Sequence, residues 1–211
     1  MQQLVQKLIN DGYLKTPKII EAFLNVHRRD FLPEELKGDF EENIPLPINY
    51  GQTNSQPLTV AFMLELLQPK EGDRVLDVGS GSAWTTALLA YLVGRKGKVY
   101  AVEKIPQLKT FGETNLEKYQ FKNIELFCGD GSKGLSEFAP FDCIQVAAAA
   151  ENGIPNALRE QLKIGGRLII PVGRGMQEMV LIIRKGEDDF EEQRFAGFQF
   201  VPLIEGKKEE S

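Results

Sequence analysis

The sequence predicts an α/β fold: a mostly parallel central sheet with helices on both faces, antiparallel strands at one edge and an N-terminal helical cap. Three observations predict it. Short apolar runs alternate with helical patterns from Arg74 to Val172. One unit within that span, Arg74 to Glu103, reads strand, glycine-rich turn, helix, strand and acidic residue. After Val172 the helical periodicity stops, and Met179–Arg184 and Phe198–Leu203 read as strands bracketing a polar, acidic turn, Lys185–Glu192. The 211 residues divide into a cap and loop over 1–56, an α/β core over 57–205 and a charged, frayed tail over 206–211.

Residues 2–11 and 17–26 read as short helices. Leu4, Leu8, Ile19, Ile20, Phe23 and Leu24 supply their apolar faces, and Thr16 precedes Pro17 as a cap. His27-Arg28-Arg29-Asp30 reads as a solvated polar run. His27 is the only histidine, and nothing around it marks a catalytic base. Phe31–Ile48 is loop-like, with Pro33, Pro45 and Pro47. Asn49 to Pro57 is polar but uncharged, and a helix over Pro57–Leu67 follows. On local pattern alone, Ser55 is the N-cap of that helix.

In the central unit, Val75, Leu76 and Val78 suit a buried parallel strand. Gly79-Ser80-Gly81-Ser82-Ala83 follows, then a helix over Trp84–Val93 and a strand over Lys98–Val102 ending on Glu103. In an open α/β sheet, ligands sit at the carboxyl ends of the strands, where this turn falls. The spacing is G-x-G-x-A, not the dinucleotide G-x-G-x-x-G, and Asp77 has no place in that fingerprint. An acidic residue there suits a ligand with a cationic head and no pyrophosphate, of which S-adenosyl-L-methionine is one. Glu103 lies where a carboxylate takes two ribose hydroxyls. A helix over Pro106–Tyr119 leads to a strand at Asn123–Phe127 and to Cys128-Gly129-Asp130-Gly131, either a ligand loop or a plain turn. Phe141–Ala147 is a strand, Ile154–Leu162 a helix, Lys163–Gly166 a turn and Arg167–Val172 the next strand.

Hydrophobic content of 42% and charged content of 26% are ordinary for a globular chain. A formal net charge of −5 disfavours nucleic acid as a partner. No apolar run approaches the ~20 residues of a membrane span. Cys128 and Cys143 read as free thiols in core strands, which fits a reducing, cytoplasmic location. No Cys/His cluster has metal-ligand spacing, so no metal is expected.

Several separated pieces together resemble the protein-L-isoaspartate O-methyltransferases, class I S-adenosylmethionine-dependent enzymes with a Rossmann-like fold. These are Phe31-Leu32-Pro33, Pro45 to Pro57, Val75–Ser82, Val102 to Pro106, Gly129-Asp130-Gly131, Gly165 to Gly173 and Phe198 to Leu203. The Tyr50–Pro57 stretch is the most diagnostic, since other class I methyltransferases lack it. The resemblance implies methyl transfer to the free carboxylate of L-isoaspartyl residues in damaged proteins, with S-adenosyl-L-homocysteine as product. The ester then closes to a succinimide that partly reopens to aspartate. By position, Ser55 matches the active-site serine, and Thr53 and Asn54 match the loop touching substrate and cofactor. Asp77, Gly79, Ser80 and Gly81 match the methionine-end site, Glu103 the ribose ligand and Asp130 the adenine contact. Lys104, Gly129 and Gly131 fall in the same cofactor motifs. A cytoplasmic monomer acting on proteins, with no nucleic acid or membrane partner, is expected.

Two departures stand out. Ala83 occupies the usual place of a third glycine, where its methyl either crowds the cofactor or improves helix propensity. Ala147–Asn152 reads AAAAEN, without the threonine and proline usual around it. They motivate one further reading, a non-catalytic cofactor-binding member of the family; another is a class I methyltransferase acting on a small molecule, which would keep Asp77, Glu103 and Asp130 but have no use for the Tyr50–Pro57 loop. A nicotinamide dehydrogenase is the weakest, because the glycine spacing is wrong.

Overall fold

The computed structural model describes residues 1–204 and 206. The expected frayed tail therefore falls, from residue 207 on, outside the described residues. In chain order the elements are α1 (Gln2–Asn10), α2 (Pro17–Asn25), β1 (Leu46–Pro47), β2 (Thr53–Asn54), α3 (Pro57–Leu67), β3 (Arg74–Val78), α4 (Trp84–Val93) and β4 (Lys98–Glu103). Then follow α5 (Pro106–Leu116), β5 (Ile124–Cys128), β6 (Phe141–Val146), α6 (Asn156–Glu160), β7 (Leu162–Val172), β8 (Gln177–Arg184) and β9 (Phe190–Phe198). Two 3-10 turns, Arg28–Phe31 and Glu34–Asp39, carry the chain from α2 to the β1–β2 hairpin.

Seven strands form the main sheet in the order β5-β4-β3-β6-β7-β8-β9. The first five are mutually parallel, and β8 and β9 add antiparallel at one edge. Successive residues of a strand point to opposite faces, and the burial follows that alternation. Val75, Val99, Cys143 and Ile169 join the core with α1 to α4, while Leu76, Tyr100, Ile144 and Leu168 join the core under α6. The order reverses between β3 and β6, which leaves a crevice at their carboxyl ends.

Several sequence expectations need correction. The last strand is Phe190–Phe198, not Phe198–Leu203, so only Lys185 to Asp189 turns. Glu191, Glu192 and Gln193 pair in register with Ile183, Ile182 and Leu181. Glu191–Arg194 are exposed on both faces of this outermost strand, which disguised it as a turn. β7 starts at Leu162, so Lys163–Gly166 lies within the strand, where the register with β6 shifts between Phe141 and Cys143. Gly165, at φ +84°, accommodates that irregularity. Arg28 is fully buried rather than solvated, and Cys128 is exposed rather than core. Ser55 does not cap α3: Gln56 holds that position, with Pro57 just inside. Thr16 stands at the start of α2, but its hydroxyl donates to Glu65 Oε2 at 2.7 Å instead of capping.

Candidate active site

A cleft opens over the carboxyl ends of β3, β4, β5 and β6. Its floor is the turn Gly79–Ser82. Glu103, Lys104, Ile105, Gly129 and Gly131 form one wall, and Ala147, Ala148 and Val201–Ile204 the other. The β1–β2 hairpin closes the top with Ile48, Gln52, Thr53, Asn54 and Ser55.

The turn needs its glycines. Gly79 has φ +80° and Gly81 φ +53°, in the left-handed region that side chains disfavour. A Cβ on Gly81 would also stand 3.1 Å from Ile48 Cδ1. Glu103 holds this turn from the next strand. Its Oε2 accepts the Gly81 amide at 2.8 Å and its Oε1 accepts the Ile105 amide at 2.9 Å. Glu103 is 6% exposed and lines the cleft. Each oxygen keeps a lone pair for a ligand hydroxyl.

Asp77 does not reach the cleft wall. It is wholly buried beneath the turn, where it accepts the Thr86 hydroxyl at 2.6 Å and the Gln145 amide at 3.3 Å. Burial pushes its carboxyl up to about 6 against those two hydrogen bonds, with Glu103 adding repulsion. Asp130 likewise turns away, accepting from Ser132 and from the Gly206 amide. Burial works to raise its carboxyl, but these donors outweigh it and hold it below the ordinary carboxylate value. The neighbours Gly129 and Gly131 line the cleft directly, and beside Gly129 there is open space where a Cβ would stand.

Ala83 answers the question its departure raised. It takes the left-handed conformation at φ +69° that a glycine would take, and it is fully buried. Its methyl turns toward α5, where a Cβ placed on Gly112 would lie 3.1 Å from it. It therefore neither crowds the cleft nor acts through helix propensity.

Several lining residues escaped the sequence reading as site residues. Trp84 and Thr85 enter at the first turn of α4, and Ile48 and Gln52 come from the hairpin. Val201 and Leu203 pair with Ala149, through Ala149 N to Val201 O and Leu203 N to Ala149 O, both 2.8 Å. That pairing lays the chain after β9 across the cleft. The Val201-Pro202-Leu203 motif was visible, but its strand-like pattern hid the role. Alongside lies a wider groove lined by Pro45, Phe62, Phe195, Phe198 and Phe200. Thr53, Ser55, Ala147 and Val201 border both hollows. His27 is exposed and borders neither.

The residues fit S-adenosyl-L-methionine. The Ser80 hydroxyl is buried in the cleft floor without a hydrogen-bond partner among the described residues, as a ligand-binding group is before its ligand arrives. With the reversed strand order, the glycine turn and the acidic end of β4, this defines a class I S-adenosylmethionine-dependent methyltransferase. The model of one family, protein-L-isoaspartate(D-aspartate) O-methyltransferase (PCMT), matches residues 1–208, and the chain belongs to that family.

Protein-L-isoaspartate O-methyltransferases of Methanopyrus kandleri and Flavobacterium psychrophilum are 43% and 46% identical to it, each over 205 residues. The alignments cover 96% of this chain and 90% of the first relative, and 97% and 94% for the second. A protein-L-isoaspartate O-methyltransferase structure superimposes with a TM-score of 0.87 at 28% identity, covering 97% of this chain and 66% of that one. A Plasmodium falciparum structure described by the same activity, in complex with S-adenosyl-L-homocysteine, gives 0.85 at 25% identity over 96% and 97% of the two chains. No helix among the described residues is long and apolar enough to cross a membrane.

Proposed function

We propose that this chain methylates the free carboxylate of L-isoaspartyl residues in damaged proteins. The observation that carries the reading is the shared border of the two hollows at Thr53, Ser55, Ala147 and Val201. The narrow cleft suits the cofactor, and the aromatic groove suits an extended peptide. A carboxylate arriving along the groove meets the cleft at Ser55.

The chemistry asks little acid–base work of the chain. A carboxylic acid of pKa ~4 is already an anion near neutral pH, so no general base is required. When bound, S-adenosyl-L-methionine supplies an electrophilic methyl group on a cationic sulfur. Gly79, Ser80, Gly81, Glu103, Lys104, Gly129 and Gly131 hold it, with Asp77 and Asp130 shaping the turns from behind. Thr53, Asn54 and Ser55 receive the substrate. A neutral hydroxyl at Ser55 orients the carboxylate without protonating it. Such orientation can contribute roughly 7–11 kcal/mol to lowering a barrier.

In this division residues 1–56 form the cap and substrate loop and 57–205 the cofactor-binding core. The net charge of −5 argues against nucleic acid as a partner, and the two free thiols support a cytoplasmic location. The function is tested by incubating an isoaspartyl peptide with methyl-labelled cofactor. Label released as methanol in mild alkali identifies a carboxyl ester. Label stable to alkali identifies a different acceptor, and an unlabelled peptide overturns the reading.

A further inference from the structure

Arg28 is among the largest fully buried side chains, and it borders the site from behind. Burial pushes its guanidinium down to about 10, so it stays charged at neutral pH. Among the described residues its hydrogen bonds all run to neutral oxygens. Nε donates to Asn54 Oδ1 and Nη1 to the Glu42 carbonyl, each at 2.8 Å. Nη2 donates to the Ile44 carbonyl at 2.8 Å and to the Asn54 and Ser55 carbonyls at 3.2 Å. The guanidinium also lies 5.5 Å from the Trp84 ring centre.

A charge buried without a countercharge costs stability, so packing alone does not account for an arginine here. What the planar fork supplies is direction. It grips two consecutive carbonyls of the substrate loop and the Asn54 side chain at once. Asn54 Nδ2 in turn donates to Ser82 Oγ at 3.0 Å, and Asn115 Nδ2 donates to the Ser82 carbonyl at 3.2 Å. One continuous chain of hydrogen bonds thus joins the loop before Ser55 to the glycine turn.

We propose that Arg28 is a positioning residue for methyl transfer: its fork fixes Asn54 and the Ser55 carbonyl, and so keeps the Ser55 hydroxyl in register with the cofactor turn. This rests on the reading of Ser55 as the group that orients the carboxylate.

The test is a double-mutant cycle of Arg28→Lys and Ser55→Ala, with an isoaspartyl peptide as substrate and S-adenosyl-L-homocysteine as calorimetric ligand. Lysine keeps the charge but not the fork. Arg28→Lys is expected to lower kcat at least tenfold while the calorimetric Kd changes less than threefold. On the Ser55→Ala background the same change is expected to cost less than twofold more, because it acts through Ser55. Additive losses, or equal losses of kcat and affinity, overturn the inference. A wild-type enzyme that does not methylate the peptide overturns the functional reading and this inference together. An active wild type with additive losses overturns this inference alone. If Arg28→Lys melts below the assay temperature, the cycle is run below its melting temperature, where coupling to Ser55 supports the inference and additivity overturns it.

Discussion

Glu103 Oε2 accepts the backbone amide of Gly81 at 2.8 Å, so the end of one strand fixes the glycine turn that follows its neighbour. The other oxygen accepts the Ile105 amide, so the side chain serves two backbone donors. Only a carboxylate can accept at both ends. Glu103→Gln points an amide NH2 at one of those N–H groups, which leaves a buried donor unsatisfied at a cost of about 1–3 kcal/mol. Titration calorimetry with S-adenosyl-L-homocysteine is expected to show roughly 10- to 100-fold weaker binding for Glu103→Gln and for Glu103→Ala. Unchanged affinity would refute the role of Glu103 in the cofactor site.

Asp77 makes stability depend on pH in an unusual direction. Its carboxyl rises from an ordinary 3.8 to about 6 in the folded protein. Below about pH 4 both states hold the proton. Between about 4 and 6 the folded state keeps a proton that the unfolded chain has lost. Stability contributed by this group therefore falls as pH rises across that window and levels off above it, by roughly 3 kcal/mol in all. Asp77→Asn removes the dependence. It also offers a donor to Gln145 Oε1, which is buried without a partner among the described residues, once the Gln145 amide turns over. Urea melts should show Asp77→Asn more stable than wild type at pH 7 and nearly equal at pH 4. A variant less stable at pH 7 contradicts this.

Ala83 and Gly112 occupy one small space between α4 and α5. A methyl on Gly112 would stand 3.1 Å from Ala83 Cβ and 3.1 Å from the Gly81 carbonyl. Gly112→Ala is thus an overpacking change, expected to cost about 1–3 kcal/mol in thermal melts. Adding Ala83→Gly should recover part of that loss. Because the Ala83 methyl faces α5, Ala83→Gly alone should leave cofactor affinity within twofold. A tenfold gain would mean that the methyl crowds the cleft after all.

The two thiols should behave differently. Cys128 is exposed at the end of β5, whereas Cys143 is buried, with its thiol pushed well above the ordinary value by that burial. Thiolate is the reactive form. A maleimide should take one equivalent rapidly from native protein and the second only after unfolding. Rapid loss of both thiols contradicts the packing of β6.

The parallel core was readable because short β-rich apolar runs alternate with longer helical stretches, of which α3 and α4 are apolar nearly all round. The cleft floor was readable because a turn at a strand end leaves glycines in the chain. Arg28 was not, because its burial is set by partners 14 to 27 residues further on, which a local polar run does not announce. Asp77 was legible as a special residue but not as a buried one. Its two partners come from α4 and from β6, and only the sheet order brings β6 beside β3. Phe190–Phe198 was hidden because Glu191–Arg194 are exposed in succession, on both faces of the outermost strand, so no alternating apolar pattern marks it.

The central claim is that the loop ending at Ser55 presents an isoaspartyl carboxylate to the cofactor cleft. The most direct measurement compares kcat/KM for two peptides identical except that one carries L-isoaspartate and the other L-aspartate at a single position. The account predicts methyl ester on the isoaspartyl peptide alone, with the difference abolished in Ser55→Ala through loss of kcat. Equal esterification of both peptides, or of neither, contradicts it.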